Sequence, residues 1–137
     1  MSSSSDESSP GSRLPDLQGV RILLVEDSWQ LGMALKSLLR SLDAEVDGPA
    51  ATTADAERLL AERLPDIALV DINLRGGERA YGLIDRLIGR GVRVIVTSGY
   101  SDLPMVPERV AGILQKPLNE EQLFAILHMV AGPPADQ

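Results

Sequence analysis

Cysteine is absent from the 137 residues of the sequence. Disulfide bonds, cysteine-based zinc sites and thiol catalysis are therefore excluded, and the composition fits a reducing compartment. Long apolar runs are also lacking. No segment approaches the ~20 apolar residues that cross a bilayer, and the N-terminus has no basic segment followed by an apolar one. We therefore expect a cytoplasmic protein without a membrane partner.

An excess of basic residues is lacking as well. The 13 Lys and Arg residues are outnumbered by 20 Asp and Glu residues, which gives a formal net charge of −7. Affinity for nucleic acids depends on clustered Lys and Arg side chains that neutralise phosphates. We therefore expect no direct binding to nucleic acid.

The length of the chain limits the number of domains. A chain of 137 residues, 44% of them hydrophobic, can form one compact core. Residues 1–17 are rich in Ser, Pro and acidic side chains and carry too little apolar surface to offset the cost of ordering. We predict a disordered tail over 1–17, one folded domain over 18–131 and a C-terminal tail over 132–137, with no output domain.

Short apolar runs alternate with helical periodicities from residue 20 onward, a pattern typical of repeated βα units around a mostly parallel sheet. Strands are predicted at 20–25, 45–47, 67–70, 92–97 and 112–114. The Gly48-Pro49 pair is expected to break the chain after the second strand. Residues 101–109 include two prolines, so only a short helix is expected there.

The helices are predicted from apolar residues spaced three and four apart. Ser28 is expected to be the N-cap of the first helix. Asn119, with Gln122 three residues later, resembles a capping box at the start of the last helix. The apolar faces of the four clearest helices are expected to contain, in chain order, Leu31, Ala34, Leu35, Leu38, Leu39 and Leu42; Ala56, Leu59, Leu60 and Leu64; Ala80, Leu83, Ile84, Leu87 and Ile88; and Leu123, Ile126, Leu127 and Val130.

Polar side chains recur at corresponding places in successive units. Glu26 and Asp27 follow the first strand, and Asp71, Ser98 and Lys116 follow the third, fourth and fifth. Because the carboxyl ends of parallel strands meet at one edge of a sheet, we expect these residues to form one site. Crowded carboxylates repel one another unless a cation shares them, and an all-oxygen set favours Mg²⁺.

Four segments make a family resemblance specific: LLVEDS (23–28), LVDINL (69–74), VTSGY (96–100) and LQKPL (114–118). In this order, each at a strand end, they resemble the signatures of the response-regulator receiver family. The resemblance covers about residues 20–130. It implies an α/β fold of the flavodoxin-like, doubly wound type, with a five-stranded parallel sheet in the order 2-1-3-4-5.

The resemblance also implies a role for each residue of the site. Asp71 would be the phosphoacceptor. Magnesium would be bound directly by Asp71 and Asp27, through water by Glu26, and by the backbone carbonyl of Asn73. Lys116 would pair with the phosphoryl group, and the Lys116–Pro117 peptide would be cis. Ser98 would hydrogen-bond a phosphoryl oxygen, with Thr97 as the competing candidate one residue earlier.

The sequence departs from the family pattern at one informative position. Ile113 stands three residues before the lysine, where the family usually has an aromatic residue that changes rotamer on phosphorylation. We therefore expect the conformational change on phosphorylation to centre on residues 98–110, including Tyr100, rather than on Ile113. Truncation of Ile113 to alanine is expected to leave a cavity that costs roughly 2–4 kcal/mol. The SGY and GGE sequences resemble stand-alone bacterial receivers paired with His-Trp-Glu-type sensor kinases.

The leading functional interpretation is a phosphorylation-dependent switch rather than an enzyme with an external substrate. Its expected partners are a sensor histidine kinase and either a downstream protein target or a phosphotransfer protein, with the chain a monomer or weak homodimer. One alternative is an aspartate-nucleophile phosphatase of the haloacid-dehalogenase type, although Asn73 stands where that family needs a second Asp. The other is a degenerate receiver that acts as a constitutive binding module.

Overall fold

A computed structural model describes residues 14–99 and 109–132 of the chain. Its strands are β1 (Arg21–Val25), β2 (Glu45–Ala50), β3 (Ile67–Asp71), β4 (Arg93–Ser98) and β5 (Gly112–Gln115). Its α-helices are α1 (Trp29–Ser41), α2 (Thr53–Glu62), α3 (Tyr81–Gly89) and α4 (Glu120–Ala131). Across these two described ranges, every helix is too short or too polar to cross a membrane.

The five strands form a single sheet in the order β2-β1-β3-β4-β5, and every neighbouring pair is parallel. The predicted flavodoxin-like topology is therefore confirmed. The order reverses between β1 and β3, so their carboxyl ends flank the crevice in which open α/β sheets bind ligands. Asp71 is in register with Thr97 across the β3–β4 pair.

Two apolar clusters cover the two faces of the sheet because successive strand residues point to opposite sides. On one face, Leu23 and Val70 pack with residues of α2 and α3 such as Leu60 and Leu83. On the other face, Leu24 and Leu69 pack with residues of α1 and α4 such as Leu39 and Leu127. A sheet buried on both sides requires nearly continuous apolar strands, which β1, β3 and β4 supply.

Side-chain caps begin three of the helices. Ser28 Oγ accepts from the Leu31 amide at 3.3 Å, and Asn119 Oδ1 accepts from the Gln122 amide at 3.1 Å. Both predicted caps are confirmed. Thr52 caps α2 in the same way, through the amide of Asp55 at 3.1 Å. Such caps satisfy amides that have no partner within the helix.

Strand β2 continues beyond the predicted break. It runs through Gly48 and Pro49 to Ala50, with an irregularity in its pairing between Leu23 and Val25 of β1. The expectation that Gly48-Pro49 would end the strand was wrong because β2 lies at the edge of the sheet. Proline has no amide hydrogen, so in a central strand it would cost the sheet a backbone hydrogen bond. At an edge strand this loss is tolerated.

The N-terminal side of the folded unit begins earlier than the sequence indicated. Leu17, assigned to the tail, is fully buried in the cluster beneath α1 and α4. Its amide donates to the carbonyl oxygen of Leu42 at 2.9 Å, and its own carbonyl oxygen accepts from the Val20 amide at 2.9 Å. A single apolar residue beside a polar segment does not indicate burial in a sequence, so the position of Leu17 in the core could not be predicted.

Ile113 is not a core residue. Its side chain is 43% exposed, whereas Leu114 beside it is 2% exposed. The expected cavity on truncation of Ile113 was therefore wrong, because much of its side chain already faces solvent. Residues 100–108, including Tyr100 and most of the segment in which we expect the response, lie outside the described residues.

Candidate functional site

The carboxyl ends of the strands bring the predicted site residues together. Glu26 and Asp27 follow β1 directly, Asp71 ends β3, and Lys116 follows β5. Ser98 is the last residue of β4 rather than the first residue after it. The Lys116 amide donates to the Ser98 carbonyl oxygen at 2.9 Å, and this backbone bond fixes the start of the lysine side chain beside β4.

Three carboxylates form the centre of the site. Glu26, Asp27 and Asp71 each contribute one oxygen to a cluster whose atoms all lie within 4.8 Å of one another. Glu26 and Asp71 are 3% and 4% exposed, while Asp27 is partly buried. Negative charges at this density and depth need a cation to stabilise them.

Lys116 provides positive charge inside the cluster. Its Nζ donates to Asp71 Oδ2 at 2.8 Å and to Glu26 Oε1 at 3.2 Å. The lysine side chain is 30% exposed, so it contacts both the two buried carboxylates and the solvent. Its Nζ therefore lies where it can balance negative charge that is added at Asp71.

Burial sets the protonation properties of the site. Desolvation raises the pKa of Asp71 above its ordinary value, although Lys116 and the amide of Asn73 oppose the rise. Desolvation likewise raises the pKa of Glu26, with the nearby charge of Asp71 adding to the effect. For Lys116, burial alone lowers the pKa, but the hydrogen bonds and charges of Asp71 and Glu26 outweigh it and raise the pKa.

Backbone amides orient two of the carboxylates. The Asn73 amide donates to Asp71 Oδ1 at 3.0 Å, and the Ser28 amide donates to Glu26 Oε2 at 3.0 Å. Each of these carboxylates is therefore held at one oxygen by a local amide and at the other by Lys116. Fixed orientation of this kind reduces the reorganisation that a reaction at Asp71 requires.

Two buried hydroxyl groups lie at the end of β4. Thr97 is 2% exposed and Ser98 is fully buried. Within the part of the chain that the structure describes, neither Thr97 Oγ1 nor Ser98 Oγ has a hydrogen-bond partner. An unsatisfied buried hydroxyl is costly. Either one is thus a candidate to bind an incoming polar group, and the geometry leaves both alternatives open.

The loop after Asp71 contains a contact that the sequence did not reveal. Glu78 Oε1 accepts from the Thr53 amide at 3.1 Å, and Glu78 Oε2 accepts from Thr53 Oγ1 at 2.5 Å. The two residues are 25 positions apart. No local periodicity or motif marks such a pair, so only the fold could identify it.

The donor set fits a hard divalent cation. The cluster offers carboxylate oxygens without sulfur or imidazole ligands, as Mg²⁺ prefers. The Lys116–Pro117 peptide is cis, as the resemblance implied. Glu26, Asp27, Asp71 and Lys116 are thus brought to one edge of the sheet, with Asn73 and Ser98 in the adjoining backbone.

Comparisons with known proteins agree with this geometry. The model of the response regulator receiver domain family matches residues 22–128. The transcriptional regulatory protein LiaR of Bacillus subtilis is 32% identical over 98 residues, which are 69% of this chain and 46% of LiaR. The chain therefore spans about half the length of this curated relative.

Two solved structures are similar along most of their own length. The receiver domain of the PhyR response regulator from Erythrobacter litoralis is 26% identical, with a TM-score of 0.74; the match covers 85% of this chain and 96% of that domain. SdrG from Sphingomonas melonis Fr1 is 30% identical, with a TM-score of 0.69 and coverage of 82% and 97%, respectively.

Proposed function

Because the chain belongs to the response regulator receiver domain family, we propose that it is a single-domain response regulator. In this proposal a sensor histidine kinase transfers a phosphoryl group to Asp71, and the phosphorylated protein signals through a protein contact or a phosphorelay. The proposed receiver unit extends from the buried Leu17 to about residue 131.

The main support for this function is the arrangement of Asp71 and Lys116. Asp71 lies at the carboxyl end of a central strand, is nearly buried, and is bonded to the Lys116 ammonium group at 2.8 Å. A carboxylate in this setting can act as a nucleophile, because its position is fixed and a cation can stabilise the charge that phosphoryl transfer brings to the site.

Phosphoryl transfer to Asp71 is a displacement reaction at the phosphorus atom. An Asp71 oxygen forms a P–O bond while the P–N bond of a phosphohistidine breaks, and the imidazole of the donor keeps the electron pair. The transition state is loose and spreads charge over the equatorial oxygens. Lys116 would stabilise that charge, the Asn73 amide would orient Asp71, and Ser98 or Thr97 would donate a hydrogen bond to a phosphoryl oxygen.

Magnesium is the cofactor that we propose for the acidic cluster. Asp27, Asp71 and the Asn73 carbonyl oxygen would bind the ion directly, and Glu26 would bind it through water. Bound Mg²⁺ would neutralise charge on the transferring phosphoryl group. Around it, the protein contributes the fixed positions of the three carboxylates, which are within 4.8 Å of one another.

Phosphorylation can be read by partners because it changes local charge and hydrogen bonding at a strand end. We propose a downstream protein target or a phosphotransfer protein as the output, no nucleic-acid partner, and a monomer or weak homodimer as the resting form.

Intact mass spectrometry tests the proposal. The protein is incubated with acetyl phosphate and Mg²⁺, and a mass increase of one base-labile phosphoryl group is expected. Asp71→Asn and excess EDTA should each abolish the increase, whereas Asp85→Asn, an exposed aspartate on α3, should leave it unchanged. Labelling of the Asp71→Asn protein would overturn the assignment. No labelling of the wild type would favour a degenerate receiver with a constitutive binding role.

A further inference from the structure

The loop between β3 and α3 folds back on itself directly after Asp71. The Leu74 amide donates to the Glu78 carbonyl oxygen at 2.8 Å, and Asn73 forms an antiparallel bridge with Arg79. The turn between them uses Gly76 and Gly77 with φ of 77° and 79°, a region in which other residues are strained. The backbone of Asn73 therefore depends on the far side of the loop, which carries Glu78.

The side chain of Glu78 attaches this loop to α2. Both carboxylate oxygens accept from Thr53, one from its amide and one from its hydroxyl, at 3.1 and 2.5 Å. These two bonds lower the pKa of Glu78 below its ordinary value, so the carboxylate is ionised at neutral pH. Thr53 is the first residue of α2, where an amide has no partner within the helix.

We propose that Glu78 is a positioning residue for the phosphorylation site, acting through Thr53. The pair holds the loop so that the Asn73 amide meets Asp71 Oδ1 at 3.0 Å. It also sets the direction of the Asn73 carbonyl, the metal ligand of the proposed function. This inference rests on that function and adds to it two residues, on the loop and on α2, that touch neither the metal nor the phosphoryl group.

The contact between Glu78 and Thr53 would affect Mg²⁺ affinity only indirectly, through the position of Asn73. Partners that orient metal ligands typically change metal affinity 10–100-fold when they are removed. Since Asn73 is one ligand among several, we expect the low end of this range. Glu78→Ala should therefore weaken Mg²⁺ binding about 10-fold. Thr53→Val, which retains the amide and loses the hydroxyl, should weaken it by a smaller factor.

Mg²⁺ titrations that follow Trp29 fluorescence, made well below the melting temperature of every variant, test the proposal. Thr53→Ser keeps both donors and should bind Mg²⁺ like the wild type. Glu62→Ala removes an exposed carboxylate at the other end of α2 and serves as the matched control. The Glu78→Ala, Thr53→Val double variant should be no weaker than Glu78→Ala alone, because the two residues act as one unit.

Hydrogen exchange in EDTA provides a readout that needs no metal. Glu78→Ala should speed exchange of the Asn73 and Leu74 amides, and Glu62→Ala should not. If Glu78→Ala and Thr53→Val only lower the melting temperature, with wild-type Mg²⁺ affinity and loop exchange, the contact is structural and the inference is wrong. If the wild type neither binds Mg²⁺ nor accepts a phosphoryl group, the proposed function fails instead. In that case, unchanged loop exchange in Glu78→Ala would overturn the positioning role separately.

Discussion

The backbones of Lys116 and Ser98 are joined by a hydrogen bond of 2.9 Å from the lysine amide to the serine carbonyl oxygen. A group that draws the Ser98 side chain towards Asp71 would therefore also act on the strand end that carries Lys116. In the proposed function, this bond would couple the ends of β4 and β5 when Asp71 is phosphorylated.

The hydroxyls of Ser98 and Thr97 can be separated by substitution. Neither has a partner within the described ranges, so Ser98→Ala and Thr97→Val should leave the stability of the unphosphorylated protein unchanged or raise it by up to about 1 kcal/mol. Beryllofluoride, a mimic of the phosphoryl group, should raise the melting temperature of the wild type when it binds with Mg²⁺. In Ser98→Ala this rise should be smaller. A loss confined to Thr97→Val would instead assign the phosphoryl contact to Thr97.

Removal of the Lys116 charge should destabilise the metal-free protein. Lys116→Met leaves Asp71 and Glu26 buried without their cation, and loss of one partner from a buried pair costs about 3–5 kcal/mol. Since the lysine side chain is 30% exposed, we expect about 2–3 kcal/mol from urea denaturation in EDTA. Arg58→Met, which breaks an exposed pair with Asp55, should cost less than about 1 kcal/mol. Equal costs for the two variants would contradict the buried network.

Asp71→Asn should stabilise the metal-free protein at neutral pH. Burial raises the pKa of Asp71, so the folded protein binds this proton more tightly than the unfolded chain does. Ionisation of Asp71 therefore costs stability as the pH rises through its folded pKa, and the cost is absent below the unfolded value near 3.8. Urea denaturation in EDTA should show an advantage for Asp71→Asn at pH 7 that shrinks as the pH falls towards 4.

Magnesium should stabilise the wild type according to its occupancy. Saturation at 100 times the dissociation constant adds about 2.7 kcal/mol to the free energy of unfolding. Asp27→Ala should lose more of this gain than Glu26→Gln, because direct coordination contributes more than a contact through water. Trp29, which begins α1 two residues after Asp27 and is 69% exposed, can report both affinities. Wild-type affinity in Asp27→Ala would contradict the metal site.

Ile113 and its neighbour Leu114 form a matched pair for a test of packing. Ile113 is 43% exposed and Leu114 is 2% exposed. Ile113→Ala should therefore lower the free energy of unfolding by less than about 1 kcal/mol, whereas Leu114→Ala should lower it by about 2–5 kcal/mol through a cavity. Thermal denaturation of the two variants measures the difference, and a large loss in Ile113→Ala would show that this residue is packed in solution.

The fold was largely predictable because its central strands are buried along nearly all of their length. Continuous apolar runs such as those in β1 and β3 have few alternatives in a chain of this length. The edge strands were harder. Glu45–Ala50 contains Gly and Pro, which normally indicate a turn, and only its position at the edge permits both. Ile113 reads as a core residue by type, and its exposure depends on how β5 lies against α4.

The candidate site was predictable to the extent that each residue follows a strand. Glu26, Asp71 and Lys116 were expected to meet, and the distances of 2.8 and 3.2 Å show that they do. The contact of Glu78 with Thr53 was not predictable, because it joins a loop to a helix start 25 residues away. Pairs of this kind are set by the packing of elements, which no local pattern records.

The outer edge of β2 has a consequence for aggregation. An exposed sheet edge offers amides and carbonyls on which a strand of another molecule can assemble, and proline and charged residues oppose such growth. Pro49 presents no amide hydrogen on this edge strand, and Glu45 and Asp47 place negative charges along it. The sheet is therefore protected against extension by a second chain at β2, so copies of the protein that associate are directed to other surfaces.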